Sequence, residues 1–194
     1  MAPIKFVRSA LSAGLLAVLL AGALAPLAPP ARAQPVAAAG SEERVKAAYL
    51  FRVLNYVDFP PRSGERAAAP YVVGVLEDEI VADDLAQLVA GKQVNGREVS
   101  VRRLAAGSPP GGVDVLFISR SERARQPTLL KQLRAAPVLT VTETAEALEQ
   151  GSVMNFRIVE GRVRFEISLP AADQAGIRLS SRLLALAVKV VKEQ

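Results

Sequence analysis

The sequence predicts an α/β fold: a three-layer sandwich with a mixed, largely parallel sheet, a C-terminal β-hairpin and a closing helix. Three observations point there. YVVGVL at 71–76 and VDVLFI at 113–118 are almost uniformly apolar, the habit of strands buried on both faces in a parallel sheet. Each is followed by apolar residues at helical spacing, which makes two βα-type units. Residues 153–159 and 162–169 alternate with period two around Glu160-Gly161, which reads as a hairpin with a two-residue turn.

The elements follow in chain order. Lys5 and Arg8 precede an apolar run over 10–25, and Ala31-Arg32-Ala33 is a small-x-small pattern before Gln34. Residues 1–33 therefore read as a secretory signal peptide, with an apolar run shorter than the roughly 20 residues a spanning helix needs. Residues 34–42 read as a flexible leader and 43–194 as a single α/β domain, since the 161 residues left after cleavage are enough for one core. Ser41 is placed to cap a helix whose apolar positions are Ala47, Leu50, Phe51, Leu54 and Val57, and which Phe59-Pro60-Pro61 ends. A polar loop at 62–70 leads to the first buried strand, then to a helix carrying Val81, Leu85, Leu88 and Val89 and closed at Gly91. Asn95-Gly96 turns the chain into a strand with one wet face at 97–104. The second buried strand leads, through Ser119 and Glu122 at capping-box spacing, to a helix with Leu129, Leu130 and Leu133. PVLTV at 137–141 is the next strand. After the hairpin, a helix starting near Ser180 carries Leu183, Leu184, Ala187, Val188 and Val191 as its apolar stripe.

Composition narrows the function. The chain holds 24 Lys+Arg against 19 Asp+Glu. Removing Lys5, Arg8 and Arg32 with the signal leaves 21 against 19, so the exported chain lacks the basic footprint of a nucleic-acid binder. After the signal no apolar run is long enough to span a bilayer, so no membrane insertion is expected. The sequence has no Cys, hence no lipid-attachment thiol, no disulfide and no thiol switch. It has no His either, which removes the usual general base and the commonest zinc ligand. No Gly-rich phosphate loop or nucleophile elbow is present. The expectation is a protein without catalytic residues, metal or cofactor.

The hairpin offers the most specific candidate surface. With its turn at Glu160-Gly161, Met154 faces Ile167, Phe156 faces Phe165 and Ile158 faces Val163 on an apolar side. Asn155 faces Glu166, Arg157 faces Arg164 and Val159 faces Arg162 on a polar side. Arginines directly opposite each other cost up to about 1 kcal/mol unless relieved. Either the guanidinium groups splay into water with Arg164 paired to Glu166, or Asn155, Arg157, Arg164 and Glu166 form a surface for a partner's carboxylate or a small anion. Arg178, Ser181 and Arg182, around the start of the last helix, extend that candidate partner-binding set, beside the plainer reading of a helix cap. The acids Glu77, Asp78 and Glu79, and the pair Asp83-Asp84, read as helix-start and capping residues. Ser119-Arg120-Ser121 is open to two readings, a capping box or an anion site at a helix N-terminus.

Four segments, KAAYLFRVLNYVDFP (46–60), VLFISRSE (115–122), PVLTVTE (137–143) and above all MNFRIVEGRVRFEISLPAADQAGIRLSSRLLALA, resemble the YfiR family of exported proteins over about 43–188. The resemblance implies a compact α/β domain that can dimerise. It also implies a periplasmic inhibitor that binds the periplasmic domain of an inner-membrane diguanylate cyclase, so that its release raises cyclic-di-GMP and favours surface attachment. No catalytic residue comes with it; what it carries over is the motif around Phe165-Glu166-Ile167 and the following AGIRLSSRLL. The chain departs from the family's best-known members in lacking cysteine pairs, so disulfide redox control is absent. A periplasmic small-anion-binding or transport-accessory module is the alternative.

Overall fold

The structure, a computed structural model, describes residues 36–60 and 69–193. The signal peptide read at 1–33 and most of the 62–70 loop lie outside these residues. In chain order the elements are α1 (Val36–Val53), β1 (Val57–Asp58), β2 (Tyr71–Leu76), α2 (Glu79–Val89), β3 (Gln93–Val94), β4 (Arg97–Leu104) and β5 (Val115–Ile118). A 3-10 turn (Arg120–Glu122) leads to α3 (Gln126–Leu133), β6 (Leu139–Thr142), β7 (Met154–Val159), β8 (Arg162–Ser168), α4 (Leu169–Gln174), β9 (Arg178–Leu179), α5 (Ser181–Leu186) and β10 (Lys189–Val191).

Among the described residues one eight-stranded sheet has the order β10-β8-β7-β6-β5-β2-β4-β3. Strands β4, β2, β5, β6 and β7 run parallel, while β3, β8 and β10 run against them. The uniformly apolar strands sort their side chains to both faces. Val115 and Phe117 enter one core with residues of α1, α2, α4 and α5; Leu116 and Ile118 enter a second with Leu129, Leu130 and Leu133 of α3. Helices on both faces of a mostly parallel sheet make the expected three layers.

The hairpin register is the one its alternation predicts, from Met154↔Ile167 through Arg157↔Arg164 to Val159↔Arg162. Glu160 and Gly161 both adopt positive φ, 51° and 70°, as a type I′ turn requires. Phe156 and Phe165 are buried against Tyr49 of α1, with ring centroids 5.9 and 5.5 Å away. Nearest the turn the apolar side is buried on β8 only: Val163 joins the core, while Ile158 opposite it is 51% exposed.

Four local expectations are corrected. Helix α1 begins at Val36, so Ser41 lies inside it and not at its cap, and part of the segment read as leader is helical. Its last helical residue is Val53; Val57 leaves the helix to pair with Leu179 in a small β1–β9 sheet. The Ser119/Glu122 capping box does not form. Ser119 makes no side-chain cap and its hydroxyl donates to the Glu77 carbonyl at 2.9 Å, while α3 starts at Gln126 with Pro127 in its first turn. The closing helix is present, capped by Ser180, whose hydroxyl accepts from the Leu183 amide at 3.3 Å, but it stops at Leu186. The stripe read through Val188 and Val191 instead becomes β10, parallel to β8. Val188, Val190 and Val191 are β-branched and suit a strand, and β8 offered a free edge to pair with.

Candidate functional site

Register creates a notch in the sheet. Strand β6 pairs with β7 only at Val141↔Met154 and Thr142↔Asn155, so β7 runs on past the end of β6. The notch lies at the carboxyl ends of the parallel strands, where open α/β sheets place their ligands. Glu143 follows β6 directly and Arg120 follows β5 by one residue. Over them, α1 contributes Glu42 and Lys46.

Lys46 is the most buried charge of this cluster, with 1% of its surface exposed. Its Nζ donates to Glu143 Oε2 at 2.6 Å and lies 2.7 Å from Glu42 Oε1 and 3.7 Å from Glu43 Oε1. Arg120 completes the cluster. Its backbone N–H donates to Glu143 Oε1 at 2.8 Å, and its Nη2 reaches Glu143 Oε2 at 3.1 Å and Glu42 Oε1 at 3.3 Å. Two carboxylates are thereby shared by two cations, which compensates charges that would be costly if buried alone.

The protonation equilibria follow from this geometry. For Glu143, burial pushes the carboxyl up, but hydrogen bonds from Arg120 and Lys46 and their charge outweigh it and hold it below the usual carboxylate range. For Lys46, burial favours the neutral amine, yet hydrogen bonds to Glu143 and Glu42 raise the ammonium above its ordinary value. Arg120 is raised mainly by its hydrogen bond to Glu143. Asp78, which caps α2 by accepting from the Val81 amide at 2.9 Å, is pushed up by burial, against the lowering effect of that hydrogen bond. Of the other acids singled out in the sequence, Glu77 accepts from the Ala106 amide, while Asp83 and Asp84 lie inside α2 and do not cap it; Asp83 and Glu79 pair with Arg103, and Asp84 with Arg44 at 3.6 Å.

The predicted partner-binding residues divide among four places. Asn155 is fully buried, with Oδ1 accepting from Thr142 Oγ1 at 3.0 Å and Nδ2 donating to Glu166 Oε2 at 3.4 Å. It is a link inside the sheet and not a surface contact, since its side chain is tied to Thr142 of β6 on one side and Glu166 of β8 on the other. Arg157 is exposed and lines the notch, while Arg164 is exposed opposite it. Among the described residues neither has an ion pair, and Arg164 does not pair with Glu166. Glu166 is half-buried and lines a second cleft of about 350 Å³ with Ala145, Leu148, Glu149, Lys189 and Val191 near the β10 edge. Arg178 sits in β9, opposite Asp58, and Ser181 and Arg182 are exposed on α5. The α5 side chain Leu183 packs in the core on the α1 side of the sheet, away from the face that Arg157 and Arg164 share. The structure therefore does not merge the two groups into one surface.

Lys46, Glu143 and Glu42 carry no site role in the sequence reading, which leaves Ser119-Arg120-Ser121 open between a capping box and an anion site. One signal was available. Lys46 lies four residues before Leu50 and eight before Leu54, so it is a charge on the apolar stripe of its helix. Its partner Glu143 is 97 positions away, a distance no local pattern bridges.

Lys46, Arg120 and Glu143, together with the whole hairpin, fall within a stretch that matches one family model. That model is described as YfiR/HmsC-like and it spans residues 43–188. A match over that length covers every strand of the parallel core, the hairpin and α5, and the chain belongs to the YfiR/HmsC-like family.

Proposed function

We propose that this chain is an exported regulatory protein that binds the periplasmic sensor domain of a membrane-anchored diguanylate cyclase and represses it, lowering cyclic-di-GMP. Membership of the YfiR/HmsC-like family is the observation that carries the reading. The secretory character of residues 1–33 supports export, and the working domain takes in the whole of α1 from Val36. No helix among the described residues is long and apolar enough to cross a membrane. A sequence with neither His nor Cys favours action by binding over turnover. Binding suffices: a preference of about 2.7 kcal/mol for the inactive receptor shifts its active-to-inactive ratio about a hundredfold.

The receptor-facing surface in this reading is the polar face of the hairpin, where Arg157 and Arg164 project outward with Glu166 beside them. Arg164→Glu is expected to weaken binding to an isolated cyclase sensor domain by about tenfold or more, because a reversed charge repels what the arginine attracted. Glu166→Arg should act in the same direction, with a small cost in stability from the loss of the Asn155 acceptor. Titration calorimetry with each variant checks this. Wild-type affinity in both, with normal melting curves, removes the hairpin face from the interface.

A further inference from the structure

We propose that the notch beside β7 is a binding site for a small monocarboxylate. It encloses about 140 Å³ and is lined by Glu42, Lys46, Arg120, Glu143, Phe156, Arg157 and Ile158. Lys46 and Glu143 satisfy each other, and Nη2 of Arg120 is shared between Glu42 and Glu143. That leaves Nε and Nη1 of Arg120 and the whole Arg157 guanidinium without a protein partner among the described residues. Two arginines with unused donors lining one cleft, Arg120 at the strand ends and Arg157 on the β7 edge, suit a carboxylate, which a guanidinium can engage by parallel N–H···O bonds.

The rest of the lining restricts the ligand. Phe156 closes the floor and Ile158, half exposed at the rim, offers apolar surface for a short hydrocarbon body. Past Asn155, β7 has no strand pairing on its β6 side, so the notch is also edged by strand backbone. Glu42 and Glu143 stand in the same wall, and a dianion drawn to the arginines meets both at close range, whereas a monoanion is repelled half as strongly. The selected class is thus a monocarboxylate with a short apolar body, and phosphate or sulfate dianions are disfavoured.

Butyrate is a suitable probe, titrated into the exported protein with no receptor present, so that the outcome is independent of the cyclase reading. Calorimetry is expected to show binding by the wild type, with affinity lower by about tenfold in Arg157→Ala. The same affinity is expected in Arg162→Ala, which removes an exposed hairpin arginine that does not line the notch. Sulfate should neither bind comparably nor displace butyrate. Arg157 is exposed, so its variant should fold, and a matching circular dichroism spectrum confirms that. The proposal is overturned if butyrate gives neither heat nor a melting shift with the wild type, if both arginine variants lose binding equally, or if sulfate binds as well as butyrate.

Discussion

Phe165→Ala is expected to lower the unfolding free energy by about 3–5 kcal/mol, the range for removing a buried ring from a packed core. Phe165 is 1% exposed, stands opposite Phe156 in the hairpin register and packs edge-on against Tyr49 of α1. Its removal would open a cavity where the hairpin meets α1, between elements that are already fixed by backbone pairing and cannot collapse into it. Urea denaturation should show a lower midpoint with an unchanged slope. An unchanged midpoint would mean that the ring contributes nothing to the core it fills.

The second large effect lies at the strand ends. Lys46→Met should cost about 2–4 kcal/mol, below the roughly 3–5 kcal/mol of an isolated buried pair, because Glu143 keeps Arg120. The pair is coupled: Lys46→Met combined with Glu143→Gln should lose less than the sum of the single changes. Strict additivity would deny that the two groups interact.

The pH dependence carries the same information. Glu143 has its folded pKa below the unfolded value, so its contribution is present above the unfolded pKa and lost as pH falls through the folded one. Lys46 is raised, so its contribution is present below the unfolded pKa and lost only as pH rises through the folded value in strong base. Asp78 is also raised, and as a carboxyl it has the opposite sign, becoming less costly as pH falls. Glu143→Gln should therefore flatten the acid limb of the stability profile and, by removing the foremost partner that raises Lys46, bring the loss of stability in base to lower pH.

The parts of the fold that were legible in the sequence are those with a local period. The hairpin followed from alternation alone, since a slip of one residue would have sent Phe156 and Phe165 to the wet side. The buried strands followed from unbroken apolar runs. The final segment was not legible in the same way. Leu183, Leu184, Ala187, Val188 and Val191 fit a helical stripe, and only the unpaired edge of β8, a tertiary fact, turns their last part into a strand. The candidate site was legible for Arg157, which an alternating strand must point outward near its turn. It was misread for Asn155, because its side-chain partner Thr142 belongs to a separate strand that meets it only in the tertiary fold. The Lys46–Glu143 pair was out of reach because its members meet only when α1 lies over the ends of the parallel strands.

The most direct measurement is intracellular cyclic-di-GMP in the native host with and without this gene, restored by the wild-type chain supplied in trans. Repression of a cyclase predicts a clear rise on deletion and a return on complementation, with Arg164→Glu failing to restore the low level. Equal cyclic-di-GMP in the deleted, complemented and parental strains would contradict a role as repressor of a diguanylate cyclase.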